Sequence, residues 1–76
     1  MTVTLLSKDA CVQCTATKRA LTNAGIEFVE FNVNNDEAAY DRAIALGYLA
    51  APVVIVEETG ESWAGFRPER ISALVA

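Results

Sequence analysis

Two cysteines separated by two residues, Cys11 and Cys14, are the side chains of this sequence best suited to chemistry. They fall between a short β-branched and apolar segment and a helix-tolerant run that contains neither Gly nor Pro. A Cys-x-x-Cys motif at such a strand-to-helix turn favours redox chemistry in a reducing compartment. Unpaired N–H groups and the helix dipole stabilise a thiolate there, which predicts Cys11 as the nucleophile. Cys14, one turn further on, can close a disulfide and resolve a mixed disulfide formed on Cys11.

Three other interpretations of the cysteine pair stay open at this point. The pair could form a structural disulfide, although closing so short a loop contributes only roughly 2 kcal/mol in the chain-entropy model. It could be half of a metal site that a second chain or added thiols complete. It could also be two buried and inert thiols.

The composition limits what else the chain can do. Its 76 residues predict one domain over residues 1–76, and six Lys and Arg against ten Asp and Glu give a net charge of −4. Without histidine, two cysteines form neither a four-ligand zinc site nor a Cys-His pair. An acidic chain is poorly suited to nucleic acid or anionic membranes. The four glycines are scattered and form no phosphate-binding loop, so we expect no resident cofactor and electrons supplied by a partner.

The sequence predicts a cytoplasmic location. Residues 1–10 carry no basic segment followed by a long apolar one, so we expect no signal peptide. The longest uncharged run, Ala43–Val56, has 14 residues and is shorter than the roughly 18 that span a bilayer. We therefore expect no membrane association.

Hydrophobic patterning predicts the order β-α-β-α-β-β-α. A βαβ unit followed by a hairpin gives a four-stranded mixed sheet flanked by three helices, which is the thioredoxin-like, glutaredoxin-type α/β fold. The predicted strands are Thr2–Leu6, Ile26–Phe31, Val53–Val56 and Ser62–Ala64. The predicted helices are Cys11–Ala24, a second one that starts near Asp36 and ends at Gly47, and a third from Pro68 to Val75.

Three motifs in this order resemble the NrdH-redoxins, which are glutaredoxin-like proteins with thioredoxin-like activity. They are Cys11-Val12-Gln13-Cys14, Ala51-Pro52-Val53-Val54 and Trp63-Ala64-Gly65-Phe66-Arg67-Pro68. The resemblance extends over nearly the whole chain. It implies a dithiol-disulfide oxidoreductase that takes electrons from thioredoxin reductase and reduces a disulfide of class Ib ribonucleotide reductase. It also implies that Cys11 is the nucleophile and Cys14 the resolving cysteine.

The resemblance assigns further residues to partner binding. It implies a cis peptide bond before Pro52 and a backbone contact from Ala51 to the substrate chain. Phe66 is expected in an exposed apolar surface beside Cys11, whereas for Trp63 such a surface and packing against the last helix are both open. The full set of predicted binding residues, in which Lys8 also favours the Cys11 thiolate, is Lys8, Val12, Gln13, Ala51, Pro52, Trp63 and Phe66.

Two positions depart from the family pattern. Ala64 replaces a usual serine, and the segment before the cysteines lacks its frequent proline. We therefore expect looser loops, and Asp9 opposes the Cys11 thiolate while Lys8 favours it. The glutathione-holding segments typical of glutaredoxins are missing, which favours thioredoxin reductase as the reductant. A glutathione-dependent glutaredoxin, or an iron-sulfur binding module, remains the alternative.

Overall fold

The computed structural model describes all residues from Met1 to Ala76 and contains the expected seven elements in the expected order. The sheet order is β2-β1-β3-β4, in which β1 and β2 are parallel while β1–β3 and β3–β4 are antiparallel. This arrangement confirms the thioredoxin-like fold with a four-stranded mixed sheet and three helices. The elements are β1 Val3–Ser7, α1 Val12–Asn23, β2 Phe28–Asn32, α2 Glu37–Ala45, β3 Val53–Val56, β4 Glu61–Ala64 and α3 Pro68–Ala73.

The two faces of the sheet carry separate apolar clusters, because successive side chains of a strand point to opposite sides. One cluster of eight buried residues joins the sheet to α1 and α3, and it includes Leu5, Leu21 and Ile71. A smaller cluster of five joins the other face to α2 and includes Leu6 and Ala43. The central strand β3 is buried along its whole length, as its unbroken β-branched sequence predicts.

The start of β2 differs from the expectation in a way that Ile26 explains. Gly25 has φ +74°, and its N–H donates to the Thr22 carbonyl while the Ile26 N–H donates to that of Leu21. This pair of bonds is a Schellman cap, in which an apolar residue after the glycine packs back on the helix. Ile26 is buried in that role, so β2 begins at Phe28 rather than at Ile26.

The remaining helix ends follow local signals in the sequence. The Asp36 side chain accepts from the Ala39 N–H at 3.1 Å and caps the start of α2. Gly47, at φ +88°, closes α2 with a second cap of the Schellman type. Pro68 stands in the first turn of α3, where its missing N–H costs no hydrogen bond. None of the three helices has the length and apolar character needed to cross a membrane.

Candidate active site

Cys11 and Cys14 form a disulfide at the start of α1, with their Cα atoms 5.2 Å apart. Cys11 is the N-cap residue, and its Sγ accepts a hydrogen bond from the Cys14 N–H at 3.1 Å. The strand-to-helix turn thus places an N–H of the first helical turn, which has no partner within the helix, against the Cys11 sulfur, as the motif predicts. The same N–H and the positive helix end would stabilise a thiolate on Cys11 in the reduced protein.

The two sulfurs differ in access. Cys11 is half-buried, whereas Cys14 is only 2% exposed and faces the core. A disulfide on another molecule can therefore approach Cys11 and not Cys14. This difference in access favours Cys11 as the sulfur that meets a partner and Cys14 as the sulfur that reacts within the chain.

The loop from β1 to Cys11 is tied to the turn after β2. The Asp9 N–H donates to Asn34 Oδ1 at 2.6 Å, and Asn32 Nδ2 donates to Asp9 Oδ1 at 2.8 Å. Ala10 has φ +51°, in the left-handed region that non-glycine residues seldom adopt. Side chains of the turn after β2 therefore bind Asp9 in a segment that lacks the family's frequent proline, and the looser approach loop stays a prediction. Lys8 is exposed beside this anchored segment.

The Ala51–Pro52 peptide is cis, and Pro52 is fully buried. Its carbonyl oxygen accepts a hydrogen bond from the Gly65 N–H at 2.8 Å. This bond joins the segment before β3 to the loop after β4. The cis geometry that the resemblance implied is present, and Ala51 beside it is half-buried.

Gln13 links the cysteine motif to the same loop. Its side-chain Oε1 accepts a hydrogen bond from the Phe66 N–H at 3.2 Å, while its backbone carbonyl accepts one from the Thr17 hydroxyl at 2.8 Å. Gly65 lies directly against Gln13, since a Cβ added there would stand 3.6 Å from Oε1. Gln13 thus holds the loop through the Phe66 backbone, so the loop after β4 is tied despite the alanine at position 64.

Trp63 does not belong to the exposed surface. Only 2% of it is accessible, and it packs with Ile71 and Val54 in the cluster between the sheet and α3. The Arg70 guanidinium lies 4.8 Å from the centre of its ring. Side chains alternate between the two faces along β4, and the indole of Trp63 lies on the face toward the core. The structure therefore favours packing against the last helix over a place in an exposed partner-binding surface.

Exposed apolar side chains nevertheless lie in the segments around the disulfide. Val12 is 84% exposed and Phe66 is 40% exposed. Leu49, which was not among the predicted residues, is 92% exposed in the loop before Pro52. The sequence did contain a signal for this exposure, since Leu49 is an apolar residue in the short loop between Gly47, which ends α2, and Pro52. Leu49 lines a groove of about 230 Å³ together with Lys8, Tyr40, Ile44 and Ala51 among others.

A larger depression of about 680 Å³ lies at the other end of the molecule, between the N-terminal ends of β1 and β2. Met1, Thr2 and residues 25–29 line it, and no cysteine reaches it. The disulfide lies at the opposite end of the sheet, where β1 runs into α1. No group of three or more Cys, Asp or Glu side chains is arranged there or elsewhere to hold a metal ion.

A thioredoxin-like fold with a helix-capping Cys-x-x-Cys disulfide defines a disulfide oxidoreductase of the glutaredoxin and thioredoxin class. Comparison with known proteins specifies the class further. The glutaredoxin family model matches residues 3–60. The glutaredoxin-like protein NrdH of Escherichia coli K12 is 42% identical over 74 residues, which are 97% of this chain and 89% of that protein. Its counterpart in Lactococcus lactis subsp. cremoris is 33% identical over 72 residues, covering 95% of this chain and 97% of the relative.

Solved structures agree with this assignment. The E. coli NrdH-redoxin structure, described as the basis for a thioredoxin-like activity profile, superposes with a TM-score of 0.89 over 97% of this chain and 95% of that one. A glutaredoxin from Archaeoglobus fulgidus, 19% identical, shares the fold with a TM-score of 0.77, covering 96% of this chain and 84% of that one. The chain therefore belongs to the glutaredoxin family and, within it, to the NrdH glutaredoxin-like proteins.

Proposed function

We propose that this protein carries electrons from thioredoxin reductase to the disulfide of a class Ib ribonucleotide reductase. The observation that carries the proposal is the connection of three motifs around one disulfide. Gln13 of the cysteine motif binds the backbone of Phe66, and Pro52 binds that of Gly65. The E. coli relative, 42% identical to this chain, is described as glutaredoxin-like in name and thioredoxin-like in activity. That combination supports a protein reductase as the electron donor.

The proposed reaction begins with the reduced dithiol. The Cys11 thiolate attacks one sulfur of the partner disulfide, and the other partner sulfur leaves as a thiolate. Cys14 then attacks Cys11, which breaks the mixed disulfide, releases the second partner thiolate and forms the Cys11–Cys14 disulfide. Thioredoxin reductase supplies two electrons to reopen that disulfide. No bound cofactor takes part in these steps, since both electrons move between sulfur atoms.

Partner recognition is assigned to the surface around Cys11. Val12 and Phe66 are exposed apolar side chains in the segments next to the disulfide, and Ala51 offers its backbone beside Pro52. Lys8 on the anchored loop supplies a positive charge to the Cys11 thiolate and to acidic partners. Gln13 acts by fixing the loop that carries Phe66. We further propose that the protein acts as a monomer, one domain per chain, in the cytoplasm.

A coupled assay tests the electron donor. NADPH consumption is followed with a disulfide substrate in the presence of thioredoxin reductase, and separately with glutathione and glutathione reductase. We expect turnover in the first system and little in the second. Turnover that depends on glutathione would instead assign the protein as a conventional glutaredoxin. A second assay with class Ib ribonucleotide reductase tests the acceptor by formation of deoxyribonucleotides.

The Cys14→Ser variant tests the order of the two cysteines. Cys14 is buried, so its loss leaves Cys11 able to attack but leaves no internal thiol to resolve the mixed disulfide. We expect this variant to accumulate an adduct through Cys11 with a disulfide substrate, detected by intact-protein mass spectrometry. The matched Cys11→Ser variant should form none. Equal trapping by both variants would contradict the assigned roles.

A further inference from the structure

Residues 49–51, which lie in the loop between α2 and β3 and are called the 49–51 segment below, have an unpaired backbone. Leu49, Ala50 and Ala51 take part in no backbone hydrogen bond, although a helix and a strand lie close on either side. Leu49 and Ala50 are exposed and Ala51 is half-buried, so the segment lies at the surface. Peptide groups without a partner in their own chain can pair with an extended segment of a second chain. The conformation of the 49–51 segment is therefore set by what holds its two ends.

The end of the 49–51 segment at Pro52 is joined to the cysteine motif. The Gly65 N–H donates to the Pro52 carbonyl oxygen at 2.8 Å. The next N–H along the chain, that of Phe66, donates to Gln13 Oε1 at 3.2 Å. Gln13 belongs to the cysteine motif, so two hydrogen bonds through the loop after β4 connect this end of the segment to the site of disulfide exchange.

The other end of the 49–51 segment is held by Tyr48. Its N–H donates to the Ala43 carbonyl at 3.0 Å, which completes the cap of α2. Its partly buried ring packs against the apolar cluster between the sheet and α2. Its hydroxyl lies 2.9 Å from Ser62 Oγ on β4, and the two share a hydrogen bond in which either oxygen can donate. Both ends of the segment are thus bound to β4 or to the loop that follows it.

We propose that Tyr48 is a positioning residue for partner recognition, whose hydrogen bond to Ser62 holds the 49–51 segment ready to pair with the partner chain beside its disulfide. The inference rests on the proposed backbone contact of Ala51 and does not depend on which protein donates or accepts the electrons. A segment that is held in its bound conformation loses less conformational entropy when it pairs. Loss of the Tyr48 hydroxyl should therefore weaken recognition of a polypeptide and leave the exchange at Cys11 unchanged.

A second tyrosine on the same groove provides a matched control. Tyr40 lines the groove together with Tyr48, Leu49 and Ala51. Tyr40 is 52% exposed on α2, and it is Tyr48 whose hydroxyl is bound to β4. Tyr40→Phe therefore removes a phenol hydroxyl from the groove without touching either attachment of the 49–51 segment.

A purely stabilising role of the hydrogen bond between Tyr48 and Ser62 predicts a different result from a positioning role. Its loss would lower the free energy of unfolding and leave the relative rates at which the folded protein attacks different disulfides unchanged. A positioning role changes the rate only for a disulfide whose flanking chain reaches the 49–51 segment. The rate with a peptide disulfide, relative to that with a disulfide that lacks peptide groups, therefore separates the two roles.

Two activated disulfides measure this effect without any reductase or ribonucleotide reductase. One carries thionitrobenzoate on the central cysteine of a short peptide, in which valines beside the cysteine favour an extended chain. The other carries thionitrobenzoate on mercaptoethanol and has no peptide group. The Cys11 thiolate of the reduced protein attacks the carrier sulfur, and thionitrobenzoate leaves with the electron pair of the broken bond as a coloured thiolate. Stopped flow gives both second-order rate constants, each divided by that of the same compound with free dithiothreitol, and their ratio is the peptide preference.

The unsubstituted protein should prefer the peptide compound. Tyr48→Phe keeps the ring and should lower the peptide preference about fivefold, as expected for the loss of one hydrogen bond, with the mercaptoethanol rate unchanged. Ser62→Ala should lower the preference equally, and the double variant should lower it no further, because each substitution removes the same bond. Tyr40→Phe should retain the preference of the unsubstituted protein.

Several results would overturn the proposal. They are an unchanged peptide preference in Tyr48→Phe or Ser62→Ala, additive losses in the double variant, an equal loss in Tyr40→Phe, and equal slowing with both compounds. Absence of a peptide preference in the unsubstituted protein would overturn it together with the proposed contact of Ala51. Urea denaturation shows which variants are folded in the assay, and Ser62→Ala decides alone if Tyr48→Phe is not. Failure of the reductase assays beside the expected peptide preferences would overturn the partner assignment alone.

Discussion

The two faces of the sheet are stabilised in different ways. The face toward α1 and α3 holds eight buried apolar residues, Trp63 among them, and α1 carries the buried Cys14 of the disulfide. The face toward α2 holds five, and α2 leaves Tyr40, Ile44 and Leu46 exposed. There α2 is fastened by Arg42, whose two terminal nitrogens bind both carboxylate oxygens of Glu57 at 2.8 and 2.7 Å. Thr4 beneath donates its hydroxyl to the same carboxylate.

The difference shows how so short a chain supports a reactive site. Dense packing is concentrated on the side where Cys14 must stay buried and Cys11 must stay at the helix N-terminus. The opposite side relies on one bidentate ion pair and a thinner apolar layer. We therefore expect substitutions on the two faces to differ in cost, and the α2 side to respond to pH.

The largest effect is expected from truncating the core of the cysteine side. Leu5 is fully buried beneath α1 and α3, so Leu5→Ala should lower the free energy of unfolding by about 4 kcal/mol. Leu6, its neighbour on the α2 face, is equally buried but borders two surface grooves into which the structure can relax. Leu6→Ala should cost about 2.5 kcal/mol. Urea denaturation of both oxidised variants provides the comparison, and a larger loss for Leu6→Ala would contradict the contrast between the faces.

An intermediate effect is expected from removing the ion pair. Hydrogen bonds from Arg42 and then Thr4 lower the pKa of Glu57 to about 2 from its ordinary 4.5. Because the pKa is lower in the folded state, this stabilisation is present above about pH 4.5 and is lost as the pH falls toward 2. Arg42→Met should lower the free energy of unfolding at neutral pH by about 1 kcal/mol. The variant should also lose less stability than the unmodified protein as the pH falls toward 2.

Arg19→Met is the matched control for the ion pair, since Arg19 is exposed on α1 and loses the same charge. Thermal melts between about pH 2 and 7 should show a normal acid dependence for this control. If Arg42→Met and Arg19→Met followed the same curve, the attachment of α2 would not depend on the pair with Glu57.

The smallest effect is expected at the loop before the disulfide. Ala10 adopts φ +51°, where a Cβ costs roughly 1 kcal/mol, while glycine adds entropy to the unfolded chain. Ala10→Gly should therefore stabilise the protein by about 0.5 kcal/mol. Chemical denaturation measures this gain. Gly60→Ala, at φ +75° in the hairpin turn, is the reverse control and should destabilise it.

Local signals made most of the fold predictable. The unbroken run Val53–Val56 and the glycine after α1 correctly placed β3 and the end of that helix. The second strand was placed two residues early, because an apolar Ile26 looks like strand whereas its N–H completes a helix cap. The sequence could not decide whether Trp63 lies in an exposed surface beside Cys11 or packs against the last helix. Both positions agree with the alternation of side chains along a short strand.

The cysteine site was predictable in its chemistry but not in its connections. Residue types and spacing predicted the Cys11–Cys14 pair that forms the disulfide, and the resemblance predicted the cis peptide before Pro52. The bond from Gln13 to the Phe66 backbone spans 53 positions. Such pairings depend on how the elements pack, and one sequence carries no periodic signal for them.

The single tryptophan of the chain gives this molecule an internal optical probe. Trp63 is sealed beneath Arg70 between the sheet and α3, and its indole N–H has no hydrogen-bond partner. An indole in such a dry setting emits at shorter wavelength than one in water, and its emission moves to longer wavelength when water enters. Because α3 and α1 cover the same face, the colour of this fluorescence reports the integrity of the side that holds the disulfide. Unfolding of that side can thus be followed without attaching a dye.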